Sequence, residues 1–201
     1  RTAAAVRHGQ KMRAAHPGGS GDEPYEPFMA VVFPHDQLKI LDYNRVVKDL
    51  NGLSPEVFLA KIAEHFVVGP GEAVTPAVPR SFGMFLGGHW HRLEARPGTY
   101  PAGDPIRGLD VSILQDNLLA PILGVADPRK DLRIDFVGGI RGLAELEKRC
   151  REGWAVAFAL HPTSLDELMR VADSGVVMPP KSTWFEPKLR SGLTVNVLDE
   201  A

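Results

Sequence analysis

Between Met178 and Leu193 the chain reads MPPKSTWFEPKLRSGL. Lys181, Lys188 and Arg190 stand there against one acid, Glu186, beside the hydroxyls of Ser182, Thr183 and Ser191 and the rings of Trp184 and Phe185. Cations and hydroxyls next to free backbone N–H groups supply what a phosphate needs: charge, several donors and shape. Lys181, Ser182, Thr183, Lys188 and Arg190 are therefore read as candidate anion- or nucleotide-binding residues. The rival reading is a solvated loop that caps its neighbours, because no phosphate-loop glycine pattern accompanies these residues.

Three further places carry candidate chemistry. Gly138-Gly139 follows a strand and opens onto a helix, where bare backbone can approach a ligand. A tight turn needing positive φ accounts for the same pair without one. Arg45 interrupts a strand pattern just before Val46-Val47, which suits an anion clamp facing a cleft; an edge-strand charge is the alternative. His89 and His91 fall on one face of a strand, but no third ligand joins them, and no metal site is assigned. His161 closes an apolar strand, and His35-Asp36 reads as a surface turn. No Ser-His-Asp, Cys-His, paired-carboxylate or nucleotide-fingerprint motif appears, so the catalytic residue stays unknown.

The elements that must position these residues follow from periodicity and punctuation. Arg1–Ala15 is alanine-rich and helical, and His16–Pro27 (HPGGSGDEPYEP) reads as a flexible connector over 16–27. Phe28–Phe33 reads as a buried strand, and Leu38–Val47 as its hairpin partner. Ser54-Pro55 starts a helix with the stripe Phe58, Ile62, Phe66. Ser81–Leu93 is a hairpin around Gly87-Gly88. Asp110 starts a helix with Leu114, Leu118 and Ile122 on one face. Strands follow at Arg133–Gly139, Trp154–Leu160 and Gly192–Leu198, with helices at Leu143–Glu152 and after Thr163, the last capped by Thr163 with Asp166. The fold class is α+β or α/β: one domain over 1–201 around a mixed central sheet, hairpin-rich in its first half and β-α-β-α-β in its second.

Composition narrows the class. The 201 residues carry 44% apolar and 24% charged side chains, an ordinary globular balance. A net charge of −2 lacks the basic excess of a duplex-binding domain, so nucleic acid is disfavoured. Cys150 is the sole cysteine, which excludes an internal disulfide and fits a reducing, cytoplasmic location. No apolar run approaches the ~20 residues of a spanning helix, so no membrane partner is expected. The helix that begins at Arg1 has no cap before it, which leads to the expectation that the chain is the C-terminal part of a longer protein.

The stretches LDYNRVVKDLNG, SFGMFL, LDVSILQDNLLAPILG, RIDFVGGIRG, WAVAFALHPTS and MPPKSTWFEPKLRSGL resemble the C-terminal half of an uncharacterised prokaryotic family, domain of unknown function 1015. The resemblance implies a longer protein with an upstream Asp-Gly-His-His-Arg motif similar to that of ParB-like and sulfiredoxin-like nucleotide-binding domains. Arg1 would be that motif's last residue and joins the candidate anion-binding set. On this basis the expected function is binding of a nucleotide or phosphorylated metabolite, with phosphoryl transfer as the reaction and ATP with a divalent metal as the expected cofactor. The alternatives are a non-catalytic dimerisation or specificity module, a homodimer in that case, and a ParB-like nucleic-acid binder.

Overall fold

The computed structural model describes residues 2–27, 31–32, 34–73, 75–188, 190, 192 and 195, and their side chains except those of Thr2, Ala3 and His35. Arg1 lies outside these residues, as do most of the strands expected over Phe28–Phe33 and Gly192–Leu198. The chain divides into two compact units, Arg1–Leu38 with Pro187–Ala201, and Lys39–Glu186.

In the first unit, α1 (Thr2–Ala15) forms where alanine content favours it. The expected connector folds back along this helix. Arg13 grips the Glu26 carboxylate through Nη2 at 2.6 Å and Nε at 2.8 Å. Glu23 accepts the N–H groups of Ser20 and Gly21 at 2.5 and 2.9 Å. Gly9 is required on the helix because the Tyr25 carbonyl occupies the space a Cβ would need. Lys188 and Arg190 belong to this unit and are exposed.

The second unit runs β1 (Lys39–Leu41), β2 (Tyr43–Val47), α2 (Pro55–His65), β3 (Phe66–Pro70), β4 (Ser81–Leu86), β5 (His89–Ala95), α3 (Asp110–Leu114), β6 (Ile134–Gly138), α4 (Leu143–Arg151), β7 (Val156–Leu160), α5 (Leu165–Asp173) and β8 (Trp184–Glu186). Six strands form one sheet in the order β3-β5-β4-β7-β2-β6, and β1 pairs separately with β8. Every pairing is antiparallel, so of the two classes expected the fold is α+β.

Period-2 alternation builds two cores, one on each face of the sheet. In β7, Val156, Phe158 and Leu160 join α2 and α3 residues such as Phe58, Ile62, Ile113 and Leu114 in the larger core. Ala157 and Ala159 face the other way, with Val46, Phe85 and Val137, under Leu146 of α4. Small residues on that face let α4 lie close.

Punctuation behaves as its chemistry demands. Ser54 caps α2 by accepting from the Val57 N–H, with Pro55 in the first helical turn. The β4–β5 turn uses Gly87 and Gly88 at φ of 58° and 86°, the left-handed pair a two-residue hairpin needs. Phe66, expected in the helix, instead starts β3, because α2 ends at His65. The α5 cap sits one residue later than expected. Ser164 accepts from the Glu167 N–H, and the Glu167 carboxylate returns to the Ser164 N–H at 2.9 Å. Ser164→Ala should therefore lower stability by about 1 kcal/mol, read as a lower thermal midpoint.

Candidate functional site

Arg45 lies at the centre of β2, paired with Phe136 of β6 and Phe158 of β7. Cores on both faces of the sheet bury β2, with Val47 in one and Val46 in the other, and Arg45 is only 3% exposed. Nη1 donates to the Tyr43 carbonyl, Nη2 donates to the Lys181 carbonyl at 3.0 Å, and the guanidinium lies 5.4 Å from the Phe136 ring centre. Burial pulls its pKa down to about 10, so it remains a cation at neutral pH. Among the described residues no carboxylate forms an ion pair with it.

Arg45 borders a cleft of about 490 Å³, within the range of small-molecule sites. Ile106, Val111, Leu119, Phe136, Pro179 and Pro180 give it apolar walls, while Arg107, Ser112, Gln115 and Asp116 add polar groups. One wall is irregular: α3 continues through a π-helical turn over Gln115–Leu119 where the sequence suggested a uniform α-helix. Such turns shift side chains out of α-helical register and recur at functional sites. Gln115 Nε2 binds the Val125 carbonyl at 2.7 Å and Asn117 Nδ2 the Thr99 carbonyl at 3.1 Å, which holds the turn in place. Arg129 also lines the cleft but is committed to Asp127 through two 2.9 Å bonds. Arg107 reaches Asp116 only at 3.9 Å, with both side chains more than half exposed.

The Met178–Leu193 stretch contributes differently from its sequence reading. Trp184–Glu186 forms β8, so the stretch is not loop throughout. Lys181 adopts φ of 56° and offers Arg45 its carbonyl, while its Nζ lies 5.6 Å from the Tyr43 ring centre. Ser182 is buried; its hydroxyl donates to the Pro179 carbonyl at 2.5 Å, and its own carbonyl accepts from Thr163 Oγ1 at 3.1 Å. Thr183 is half-buried beside it. The structure thus brings Arg45 and Lys181 together through a carbonyl, and Pro179-Pro180 to the cleft.

Gly138 and Gly139 are needed for close approach, but by protein groups. Neither has positive φ. A Cβ on Gly138 would enter the Trp184 ring, and one on Gly139 would enter the Asp42 carboxylate. Asp42 is buried, takes the Asn44 amide at 2.5 Å and accepts the Gly139 N–H on its backbone carbonyl at 2.8 Å.

Sequence reasoning missed Arg107, Ser112, Gln115, Asp116 and Asp110. All but Arg107, which precedes it, are polar residues scattered through the apolar stretch Leu109–Leu119, and a helix-period reading assigns those to a solvent face. A second cleft of about 440 Å³ lies over β4 and β5, lined by Thr75, Ser81, Phe82, His91 and Glu94. Burial, and next the charge of His89, hold His91 below the usual histidine range. His161 binds the Pro76 carbonyl through Nδ1 at 2.8 Å. Among the described residues no group of three His, Cys, Asp or Glu side chains is placed to hold a metal ion, and no helix is long and apolar enough to cross a membrane.

No curated protein matches this chain. Three of the similar solved structures are a free serine kinase variant with ADP, the free serine kinase with AMP, and a conserved hypothetical protein from Pyrococcus furiosus. The first is 14% identical over 79% of this chain and 58% of that chain, at a TM-score of 0.47. The second is 15% identical over 75% and 55%, at 0.43. The third is 14% identical over 75% and 56%, at 0.44. The chain thus spans less than two thirds of the length of these proteins. A family model covers residues 1–112, including LDYNRVVKDLNG and SFGMFL and stopping four residues into LDVSILQDNLLAPILG, and by that match the chain belongs to the family described as Protein of unknown function (DUF1015).

Proposed function

We propose that the Lys39–Glu186 unit binds a phosphorylated small molecule, a nucleotide or a phosphorylated metabolite, in the cleft around Arg45, and that the protein is a phosphotransferase. The observation that carries this reading is the buried Arg45 cation beside an open cleft, with carbonyls but no carboxylate as partners among the described residues. Burying a cation costs free energy that carbonyl bonds only partly offset. An anion in the cleft would complete the compensation. Arg107 supplies a second, exposed cation, and Ser112 and Gln115 supply neutral polar groups. The apolar walls fit the base or carbon skeleton of the ligand. Phosphoryl transfer rests chiefly on positioning and charge neutralisation, for which such a cleft is suited.

Calorimetry of ATP and ADP against the protein, with magnesium present because it binds largely through phosphate oxygens, tests this. Arg107→Ala should weaken nucleotide binding about tenfold, the scale of one hydrogen bond to a charged group, with an unchanged near-UV spectrum. Arg45→Lys should weaken it further, because one ammonium cannot hold two carbonyls and a ligand. Absence of nucleotide binding, or equal affinity in the Arg107→Ala protein, would overturn the reading.

A further inference from the structure

Granted that the Arg45 cleft holds an anion, its other polar groups restrict what the rest of the ligand carries. Arg129 and Asp127 line the cleft but are spent on each other. Arg45, Ser112 and Asp116 line it with hydrogen-bonding capacity to spare. Arg45 is 97% buried by its 3% exposure, and it uses two of a guanidinium's five N–H donors, on the Tyr43 and Lys181 carbonyls. Ser112 is 7% exposed, and its hydroxyl has no hydrogen-bond partner among the described residues. That hydroxyl is not sealed inside the protein, because Asp110 Oδ2 is the one enclosed side-chain atom without a partner among the described residues. It opens to the space beside Ser112, which is the cleft. Asp116 meets only Arg107, at 3.9 Å, beyond the reach of a hydrogen bond.

These groups ask for different chemistry. Arg45 and Ser112 offer donors from buried side chains, and a phosphate brings the bare oxygens they need. Asp116 is an acceptor only, on a side chain 53% exposed. A carboxylate in an anion's cleft repels phosphate, so the ligand must bring something else to it. A ligand that fills the cleft displaces water from Asp116 and has to return the hydrogen bonds that water made. Arg107 already balances the charge of Asp116, so what the carboxylate lacks is donors and not a second cation. Its two oxygens lie side by side, which suits hydroxyls on adjacent carbons.

We propose that the ligand of the Arg45 cleft is a phosphorylated sugar, with phosphate oxygens on Arg45 and Ser112 Oγ and a pair of adjacent hydroxyls donating to Asp116. The assignment rests on the anion reading of the cleft and adds the chemistry at the other end of the ligand. Asp116 sets specificity for the hydroxyl pair, while Ser112 holds the phosphate whatever it is attached to. A free sugar phosphate and a ribonucleotide both present this pattern.

Calorimetry with two pairs of compounds reads it: ribose 5-phosphate against 2-deoxyribose 5-phosphate, and AMP against 2′-deoxy-AMP. The deoxy member of each pair has no adjacent hydroxyls in its ring form. The ribo member is expected to bind about tenfold more tightly, the scale of a hydrogen bond to a charged group. Tighter binding of AMP than of ribose 5-phosphate identifies the source as a nucleotide, and the reverse as a free sugar phosphate; both carry the proposal when the deoxy member is the weaker. Asp116 is exposed, so Asp116→Ala leaves the core intact. It should bring the members of each pair level, with the deoxy members bound at least as tightly as before, because Arg107 loses its competing acid. Ser112→Ala should weaken every compound about tenfold and keep the preference for hydroxyls. Equal affinity within the pairs, a preference that survives in Asp116→Ala, unchanged affinities in Ser112→Ala, or tighter binding of phosphoethanolamine than of ribose 5-phosphate would each overturn the proposal and leave the anion reading standing. Binding of ADP with none of the four compounds does the same; if ADP also fails to bind, the anion reading falls with it.

Discussion

Replacing Gly138 by alanine is expected to cost about 3 kcal/mol, at the upper end for overpacking a filled site. Gly138 ends β6 opposite Tyr43, and its missing side chain is the floor on which the Trp184 ring lies. That ring is held elsewhere too. Its Nε1 donates to Glu186 at 2.6 Å, and Tyr43 meets it edge-on at 5.4 Å. β8, which carries Trp184, pairs with β1, so the ring cannot retreat without pulling on two strands. The neighbouring Gly139→Ala should cost a similar amount for a different reason: its Cβ would displace the Asp42 carboxylate from the Asn44 amide. Urea unfolding measures both. The mechanism is separable by a double-mutant cycle, in which Trp184→Ala recovers part of the loss in the Gly138→Ala protein and none in the Gly139→Ala protein. Costs within about 0.5 kcal/mol of zero, the scale of an ordinary surface substitution, would mean that the ring and the carboxylate move freely.

These two glycines also show where sequence reasoning reaches its limit. A Gly-Gly pair between strand and helix announces close approach, and that much was legible. What approaches is set by pairing between Trp184 and Leu41, residues far apart in the chain, and one-dimensional periodicity carries no such information. The same applies to Leu38–Val47. Its composition is strand-like throughout, yet the structure breaks it at Asp42, with Lys39–Leu41 in one sheet and Tyr43–Val47 in another. By contrast, β7 and the β4–β5 hairpin were legible because their causes are local: an unbroken apolar run over Trp154–Leu160, and two glycines between short strands. Arg45 was legible as an anomaly for a related reason. A cation in the middle of an apolar strand conflicts with its surroundings, and such conflicts concentrate at functional sites.

The Met178–Leu193 stretch was conspicuous by its donors, but much of its chemistry is internal. Ser182 and Thr163 fasten its backbone, and Arg45 donates to it at the Lys181 carbonyl. Composition counts side-chain donors; it does not count the carbonyls that also need them. Arg45 therefore joins the cleft to this stretch, lining the one and donating to the Lys181 carbonyl of the other.

Asp110→Asn is expected to make the protein more stable at pH 8 by up to about 3 kcal/mol, and to lose that advantage toward pH 4. Burial, with the nearby Glu167 charge adding to it, raises the Asp110 carboxyl from 3.8 to about 6, against the Arg80 N–H that lowers it. The direction follows from proton linkage. Below pH 3.8 the acid is protonated in both the folded and the unfolded chain, and folding gains the full benefit of a neutral buried group. Between pH 3.8 and 6 the unfolded chain releases its proton while the folded chain retains it, so stability falls as pH rises. Above pH 6 the folded protein holds a buried charge with one oxygen unpartnered among the described residues, and the penalty is complete. Two pH units correspond to about 3 kcal/mol. Asparagine keeps an oxygen for the Arg80 N–H and has no charge to bury, so the variant lacks this component, while titrating groups other than Glu167 and His161, whose charges act on Asp110, contribute equally to both proteins. Urea midpoints of the two proteins at intervals from pH 4 to 8 should diverge through the range 4 to 6 and run parallel above it. A constant difference across that range would mean that Asp110 ionises as readily in the folded chain as in the unfolded one.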